Sequence, residues 1–433
     1  MTDPRVAPPV LIALNLTRRC NLNCAHCYLD AGARGHRSDE LTTSEAISVI
    51  DQIADLNGEA MVVLTGGEPL IRADVEQLAR HASERGLIVV MGTNGVLLND
   101  ARVESLRRAG VQAVGISLDS LNPRYHDRFR GLEGCWARTM AGIDACRRGA
   151  MLFQIHFSAT DDNAPELDDM ITFCREAGAA VLNVFFLVCT GRGERLTNIS
   201  PETYEACLCR LVSAARDESG LIVRARCAPH FRRMALQADP PLPITAVQSY
   251  GTGGCMAGRS YCRVTPEGGL TPCPYIEESV GSLRKERLAD LWRSSPLFAS
   301  LRTPRLQGRC GVCEFSQVCG GCRARPASRD GAVMGEDFLC TYQPSGGQVV
   351  DPNASEQLPV AVAWTAEAEE RLSRVPAFVR EFVRARAEEH TQALGQAAVT
   401  AAHLDMLARR RFGGRMPFAP ATRAQASRQG TKP

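Results

Sequence analysis

The sequence of 433 residues lacks several features that would each define a protein class. No apolar run approaches the roughly 20 residues of a membrane-spanning helix. The formal net charge is only +2, which gives no reason to expect nucleic acid or an anionic membrane as the main partner. The N-terminus has no secretory pattern, because its short apolar stretch better fits a first strand. We therefore expect a cytoplasmic protein with no membrane span and no nucleic-acid partner.

Cysteine, by contrast, is abundant, with 18 in the chain. Disulfide-dense domains are short and secreted, so metal-binding thiols in a reducing compartment are the more economical interpretation. Eleven of the cysteines fall into two groups with metal-site spacing. The other seven have no such spacing, and we expect most of them to be buried apolar side chains: Cys135, Cys146, Cys174, Cys189, Cys207, Cys209 and Cys227.

Short apolar runs alternate with helical patterns from residue 10 to about residue 220. This alternation is typical of βα units on a parallel sheet. Six units are too few to close an eight-stranded barrel, so the expected fold is α/β, a partial (βα)6 TIM barrel with its site at the carboxyl ends of the strands. The predicted strands are Val10–Leu16, Ala60–Leu64, Leu87–Met91, Val114–Leu118, Phe153–Ala159 and Val181–Val188.

The first cysteine group, Cys20, Cys24 and Cys27, follows the first predicted strand with the spacing C-x3-C-x2-C. Three thiolates suit three irons of a cubane 4Fe-4S cluster and leave one iron open to another ligand, whereas four would suit electron transfer alone. A zinc site is the alternative, and it would need a fourth ligand; His26 lies inside the run.

This segment, RRCNLNCAHCY, resembles the radical S-adenosylmethionine (radical SAM) enzymes. The resemblance implies that the open iron binds the amino and carboxylate groups of SAM, and that an electron cleaves SAM to a 5'-deoxyadenosyl radical. The TGGEP, GTNG, SLDS and HDRFRG segments near later strand ends also resemble the family. In TGGEP the glutamate would accept a hydrogen bond from the SAM ammonium. The implied SAM-site residues are Gly66, Gly67, Glu68, Pro69, Asn94, Ser117, Asp119 and Arg130.

Other residues of this set also carry specific expectations. Asn94 is expected to meet the adenosyl part of SAM, and Ser117 and Asp119 resemble the serine and aspartate that lie near SAM and substrate in the family. Arg130 either pairs with the SAM carboxylate or is a surface arginine that caps a helix. The sequence does not identify which residue acts as a catalytic acid or base.

The second cysteine group contains eight cysteines within residues 255–340. Eight thiolates make two complete four-ligand sets, and a pair of zinc sites is the alternative to iron–sulfur clusters. The order resembles the SPASM extension of radical SAM enzymes, whose auxiliary 4Fe-4S clusters have interleaved ligands. One departure is the spacing of Cys319 and Cys322, where many SPASM proteins have three intervening residues instead of two. The resemblance implies three 4Fe-4S clusters in total, with one auxiliary set at Cys255, Cys262, Cys273 and Cys322 and the other at Cys310, Cys313, Cys319 and Cys340.

The segment from GRCGVCEF to DFLCTY resembles the cluster motif of enzymes of haem d1 and alternative haem biosynthesis. The module around Trp364 resembles a small domain of light-independent protochlorophyllide reductase. Both resemblances imply an iron-porphyrin-like tetrapyrrole substrate, modified at a propionate or acetate side chain, and a flavodoxin or ferredoxin type electron donor. Arg192 or Arg195 is a candidate to pair with the carboxylates of the tetrapyrrole. The alternative is a peptide-modifying SPASM maturase that forms thioether or carbon–carbon crosslinks.

Changes in composition divide the chain into five expected segments. In the C-terminal module Pro376 is expected to open a helix. Its apolar stripe comprises Leu372, Val375, Val379, Phe382 and Val383. The expected segments are the partial barrel at 1–222, the cysteine-rich SPASM extension at 223–345, a linker at 346–359, a small C-terminal helical domain at 360–412 and a basic, disordered tail at 413–433.

Overall fold

The computed structural model describes residues 6–35, 39–196, 199–216, 220–242, 254–351, 362–375 and 377–412. The chain forms two compact units, Met1–Leu358 and Pro359–Pro433. Among the described residues, no helix is long and apolar enough to cross a bilayer.

The first unit is built on one nine-stranded sheet with the order β7-β6-β5-β4-β3-β2-β1-β8-β9. Neighbouring strands from β7 through β1 to β8 are parallel, and only β9 is antiparallel to its neighbour. Strands of a parallel sheet are covered on both faces, which explains their nearly continuous apolar sequences. The strands are β1 Leu11–Asn15, β2 Met61–Thr65, β3 Ile88–Thr93, β4 Ala113–Ser117, β5 Leu152–Ala159, β6 Val181–Phe186, β7 Ile222–Arg226, β8 Tyr261–Val264 and β9 Leu270–Thr271.

The partial barrel predicted from the sequence is confirmed, and the sheet is larger than six strands. The strand β7 continues it beyond β6, and β8 pairs with β1 on the other side. In β7 only Val223 and Ala225 are buried, and they alternate with Arg224 and Arg226. The apolar signal of this strand is therefore weak, which explains why the βα pattern was expected to end near residue 220.

The helices pack their apolar faces on the sheet. The first helix, α1, begins with a capping box, in which the Thr42 hydroxyl accepts from the Glu45 N–H and the Glu45 carboxylate accepts from the Thr42 N–H. The helices of the first unit are α1 Thr43–Leu56, α2 Val75–Glu84, α3 Asp100–Arg108, α4 Pro123–Arg130, α5 Cys135–Arg148, α6 Leu167–Ala177, α7 Pro201–Ala215, α8 His230–Gln237, α9 Leu288–Ser294, α10 Pro296–Arg302, α11 Gly308–Val312 and α12 Ala324–Asp330. Short 3-10 turns occur at Pro69–Ile71, Ala164–Glu166 and Gly191–Arg195.

The second unit is helical with a small parallel sheet that the sequence analysis did not predict. Its strands β10 Ala363–Trp364 and β11 Ala398–Val399 pair with each other. Leu372 of the predicted stripe is buried. Pro376, the side chains of Val379 and Phe382, most of the linker and the basic tail lie outside the described residues. The helices are α13 Ala366–Ser373, α14 Ala377–Ala393 and α15 Ala401–Phe412.

Candidate active site

The first cysteine group lies on the loop that joins β1 to α1, at the carboxyl edge of the sheet. Cys20 and Cys24 are buried in one small cluster, and Cys27 packs against it. Backbone N–H groups point at two of the sulfur atoms, from Leu22 to Cys20 Sγ at 3.4 Å and from Ala31 to Cys27 Sγ at 3.3 Å. Such contacts favour thiolates. The loop therefore fits a group that takes three sulfur ligands.

Burial opposes ionisation of these thiols when they are unligated. It raises the pKa of Cys20 to about 12 and raises that of Cys24. A bound cation inverts this preference, because metal ligation deprotonates a coordinating thiol. Among the described residues, no three His, Cys, Asp or Glu side chains are arranged to hold a single metal ion.

The glycines of the TGGEP turn approach the cysteine loop. Gly66 has φ +137°, and a Cβ there would lie 2.7 Å from the Thr17 carbonyl oxygen. A Cβ on Gly67 would lie 2.1 Å from the Arg19 carbonyl oxygen. The N–H groups of Gly67 and Glu68 donate to these same carbonyls, Thr17 at 2.7 Å and Arg19 at 2.8 Å. The absence of a side chain therefore lets this turn fix the cysteine loop in place.

Glu68 is fully buried between the ends of β2 and β3. Its Oε1 accepts from the Leu70 N–H at 3.1 Å and the Thr93 hydroxyl at 2.8 Å, and its Oε2 accepts from the Asn94 N–H at 2.8 Å. Burial raises its pKa to about 7, although these three hydrogen bonds act in the opposite direction. Glu68 therefore has a structural role in addition to the role expected from the sequence. The adjacent Pro69 opens the 3-10 turn.

Asn94 and Ser117 lie at the ends of neighbouring strands. Asn94 Nδ2 donates to Asn21 Oδ1 at 2.8 Å and lies 3.9 Å from Cys20 Sγ, so it reaches the cysteine loop. Ser117 is the last residue of β4, paired in register with His156 of β5. Both residues are at the edge where the sequence analysis expected a ligand.

Asp119 and Arg130 form a buried ion pair with 2.6 Å between Oδ2 and Nη2. The Arg130 side chain is 8% exposed and that of Asp119 is fully buried, so Arg130 is not a surface arginine. Its Nη1 also lies 3.7 Å from Cys24 Sγ. The positive charge of Arg130 holds the pKa of Asp119 below its usual value against the effect of burial. Asp119 and Arg130 therefore neutralise each other's charge beside the cysteine loop.

Two histidines lie near this pair. His126 is buried, whereas His26 is half-buried with its Nδ1 enclosed, and the sequence analysis named only His26, inside the cysteine run of the zinc alternative. His126 Nδ1 accepts from the Asp119 N–H at 3.2 Å, and burial lowers the pKa of His126 to about 4. The His26 ring stacks on Phe129 with centroids 4.3 Å apart, and burial lowers its pKa to about 3. Both rings are therefore neutral near pH 7. The sequence signal that could have indicated the contact between His126 and Asp119 is the histidine of HDRFRG, seven residues after Asp119.

Arg192 is engaged by the cysteine loop. Its guanidinium donates to the carbonyl oxygens of Cys24 at 3.0 Å and Ala31 at 2.8 Å, and it pairs with Asp30 at 2.8 Å. It therefore clamps the loop, which leaves little of the guanidinium for a substrate carboxylate. The Arg195 side chain lies outside the described residues.

In the second cysteine group, one set lines a single pocket near the end of the first unit. The four thiols share this pocket with His230, Arg233 and Tyr342. Cys319 thus belongs with the C-x2-C pair, and the departure in spacing after it does not separate it from that pair. The four are Cys310, Cys313, Cys319 and Cys340.

The other set is only partly assembled as the sequence analysis expected. Cys273 and Cys322 belong to one buried cluster, and Cys255 packs against it. Cys262 lies instead in the core of the barrel, on β8. Cys227, which the sequence analysis left among the apolar cysteines, packs against the same cluster as Cys255. The structure thus brings three of the four expected ligands together and leaves Cys262 apart.

Three family models match the chain. The model for the radical SAM superfamily matches residues 14–156, the model for an iron–sulfur cluster-binding domain matches residues 255–322, and the model for the proto-chlorophyllide reductase 57 kD subunit matches residues 364–407.

Curated relatives match over most of the chain. An AdoMet-dependent heme synthase of Methanosarcina barkeri is 40% identical, over 78% of this chain and 97% of that protein. A pre-heme d1 synthase of Dinoroseobacter shibae is 30% identical, over 78% and 88%. A PqqA peptide cyclase of Rhizobium meliloti is 30% identical, over 79% and 90%.

The fold is also similar to that of a solved structure. SuiB of Streptococcus suis bound to S-adenosylmethionine superposes with a TM-score of 0.62 over 78% of each chain, at 18% identity. At this identity the likeness concerns the fold.

Proposed function

Because the chain belongs to the radical SAM superfamily, as its 40% identity to a heme synthase over nearly the whole of that relative shows, we propose that it modifies a propionate or acetate side chain of a tetrapyrrole in haem-type biosynthesis. The observation that carries the proposal is the convergence of three thiols beside the glycine turn and Glu68, at the carboxyl edge of the sheet. A 4Fe-4S cluster with SAM supplies the 5'-deoxyadenosyl radical, which removes hydrogen from an unactivated carbon.

The residues around the cysteine loop would bind and orient SAM. Cys20, Cys24 and Cys27 are the proposed cluster ligands, and Glu68 is the proposed acceptor for the SAM ammonium. Gly66 and Gly67 hold the loop against the turn, and Asn94 reaches the same loop. Ser117 lies at the neighbouring strand end. This assignment is supported by the position of all these residues at one edge of the sheet, where parallel α/β folds bind their ligands.

Asp119 and Arg130 have a positioning role in this proposal. The guanidinium already has a buried carboxylate partner, so Arg130 would act on SAM only in addition to that ion pair. The pair also fixes α4, whose backbone carbonyl at Phe129 accepts from the Ala25 N–H at 2.9 Å. It would therefore keep the cysteine loop in the geometry that the ligands need.

We further propose two auxiliary 4Fe-4S clusters in and next to residues 255–322, which match the iron–sulfur domain, three clusters in all. Four-cysteine sites suit electron transfer rather than SAM binding. A cluster held by four of these cysteines would supply an acceptor for the electron that loss of CO2 from a propionate would release. A flavodoxin or ferredoxin type protein is the proposed donor for the SAM-binding cluster.

The second unit is proposed to assist tetrapyrrole handling, and residues 360–412 are its proposed bounds. The support is the match of residues 364–407 to the proto-chlorophyllide reductase subunit. The boundaries proposed for the other segments remain 1–222, 223–345, 346–359 and 413–433. The peptide-modifying alternative draws its support from relatives of lower identity than the heme synthase.

The experiment is anaerobic turnover of the purified protein with SAM, dithionite and an iron-porphyrin that carries both propionate and acetate side chains. We expect 5'-deoxyadenosine together with a porphyrin that has lost CO2 and two hydrogens, or an acetate, as measured by mass spectrometry. The Cys20→Ala/Cys24→Ala/Cys27→Ala variant is the control, and it should lose about four of about 12 irons and all deoxyadenosine formation. Deoxyadenosine without any change in porphyrin mass would contradict the proposed substrate.

A further inference from the structure

Cys227 stands apart from the other cysteines that lack metal-site spacing, because of its backbone and its position. It has φ +57°, in the left-handed region that non-glycine residues seldom occupy. Strained residues of this kind persist where the surrounding structure holds them, and they cluster at functional sites. Cys227 directly follows β7, at the carboxyl edge of the sheet where the cysteine loop also lies.

The thiol of Cys227 lies among three proposed cluster ligands. It packs, together with Cys255, against the buried cluster that contains Cys273 and Cys322. After burial itself, the charges of Cys322 and Cys255 contribute to the raised pKa of Cys227, and the charge of Cys227 contributes to the raised pKa of Cys273. Four thiols therefore converge at one place.

A buried ion pair ties two of these cysteines together. Arg325 Nη1 and Asp337 Oδ2 are 2.7 Å apart, and both side chains are fully buried. Arg325 Nη2 donates to the carbonyl oxygen of Cys227 at 2.5 Å, and Asp337 Oδ2 accepts from the Cys322 N–H at 2.7 Å. The strand end that carries Cys227 is thus held next to Cys322 by side chains that the fold has enclosed.

Cys262 lacks this environment because of the alternation of β8. Successive side chains of a strand point to opposite faces. Tyr261 and Arg263 lie on the face of the cysteine loop, where the Arg263 guanidinium is 5.8 Å from the Tyr28 ring. Cys262 is on the other face with Val264, in the barrel core. Burial raises its pKa, and the charge that also acts on it is that of Arg302.

We infer that Cys227, and not Cys262, completes the four-thiolate set with Cys255, Cys273 and Cys322 and ligates one auxiliary 4Fe-4S cluster. The inference rests on the proposed auxiliary clusters. Each thiol gives up its proton on binding iron, and ferrous and ferric iron in equal amounts, together with sulfide, supply the rest of the cluster during reconstitution. A set that draws its ligands from β7 as well as from the cysteine-rich region would join the end of the barrel to that region through metal.

The test compares Cys227→Gly with Cys262→Ala after anaerobic reconstitution with ferrous iron, ferric iron and sulfide. Glycine suits φ +57°, so Cys227→Gly removes the thiol without adding backbone strain. Both changes are also made in a Cys255→Ala background. With Cys227→Gly only two proposed ligands then remain, and we expect about four irons fewer per chain than in wild type. With Cys262→Ala three remain, and iron should match that of Cys255→Ala alone.

Circular dichroism shows whether each variant is folded, and electron paramagnetic resonance of the reduced proteins shows which cluster changes. In the single variants, a changed signal with Cys227→Gly and an unchanged one with Cys262→Ala supports the inference. The reverse pattern, equal iron in the two double variants, or zinc in this set would overturn it. Deoxyadenosine formation by the wild type is measured on the same samples, so a failure of the proposed SAM chemistry would be seen separately from a failure of the ligand assignment.

Discussion

Glu68 offers a prediction in which its structural role and its proposed SAM contact can be separated. Its carboxylate accepts three hydrogen bonds in a fully buried site. Each buried donor left without an acceptor costs about 1–3 kcal/mol. Glu68→Ala leaves three buried donors without an acceptor, so the free energy of unfolding should fall by on the order of 5 kcal/mol. Glu68→Gln keeps an acceptor at Oε1 but sets an amide N–H₂ against the Asn94 N–H, so its cost should be that of one donor.

The charge is what distinguishes the proposed contact with SAM. A hydrogen bond to a charged group contributes about 1.5–3 kcal/mol, so Glu68→Gln should weaken SAM binding by about ten- to a hundredfold. Thr93→Val is the matched control, since it removes one hydrogen bond to the Glu68 Oε1 and keeps the charge. Equilibrium dialysis of SAM with the reconstituted proteins gives the affinity, and thermal unfolding gives the stability. If Glu68→Gln binds SAM like wild type, or Thr93→Val loses as much affinity, then Glu68 is a structural residue and the proposed contact is wrong.

The pH dependence of SAM binding checks the same reasoning. The pKa of Glu68 is about 7, so the carboxylate gains its charge as pH rises from 6 toward 8. An α-amino group loses its charge above about pH 7.7–8.0. With increasing pH, the affinity of the wild type for SAM should therefore rise, pass a maximum and fall. The affinity of Glu68→Gln should only fall, because this variant lacks the titrating carboxyl. Because the folded pKa is raised above the ordinary value of 4.5, the contribution of this carboxyl to stability is full below about pH 4.5 and is lost as pH rises through 7.

Three further changes test other parts of the structure. Arg130→Leu leaves the Asp119 charge buried and unpaired, so it should lower the free energy of unfolding, measured in urea, by about 3–5 kcal/mol. The control is Arg148→Leu, which removes an exposed ion pair with Asp100 and should lower it by less than about 1 kcal/mol. Equal losses would contradict the buried ion pair. Gly66→Ala should lower the iron bound at the first cysteine group by distorting the loop at Thr17, and iron content equal to wild type would show that the loop tolerates a Cβ there. A chain ending at Leu358 keeps every proposed cluster ligand and the contact of Val350 with Glu314. SAM cleavage should therefore stay near the full-length level, while porphyrin binding should fall. Unchanged porphyrin binding would contradict the role proposed for the second unit.

The parts of the fold that the sequence predicted well are those with a local signal. The six βα units follow from apolar periodicity, and all six predicted strands are present. The strand β7 was missed because Arg224 and Arg226 interrupt its apolar pattern. The cysteine loop could be recognised because its three cysteines lie within eight residues of one another.

The features that the sequence did not indicate depend on long-range contacts. Cys227 and Cys322 are brought together by the end of β7 and by the Arg325–Asp337 pair, and no spacing in the sequence indicates this. The expectation for Cys262 came from the resemblance to the SPASM extension. The alternation in Tyr261–Val264 was available in the sequence and would have turned this thiol away from the Tyr261 face. The pairing of Asp119 with Arg130 required the path of α4, which residue types alone do not give.

The way in which the cysteine loop is held has a consequence for the lifetime of the enzyme in the presence of oxygen. Its anchors are backbone hydrogen bonds to Thr17, Arg19 and Phe129 and the Arg192 clamp, none of which involves a sulfur atom. In zinc fingers the metal supplies the folding free energy, so metal loss unfolds the domain. Here these hydrogen bonds hold the loop through contacts that do not depend on iron. Oxidative loss of iron should therefore leave a folded chain that can be refilled, so that damage at this position is repaired by cluster assembly and not by new synthesis of the protein.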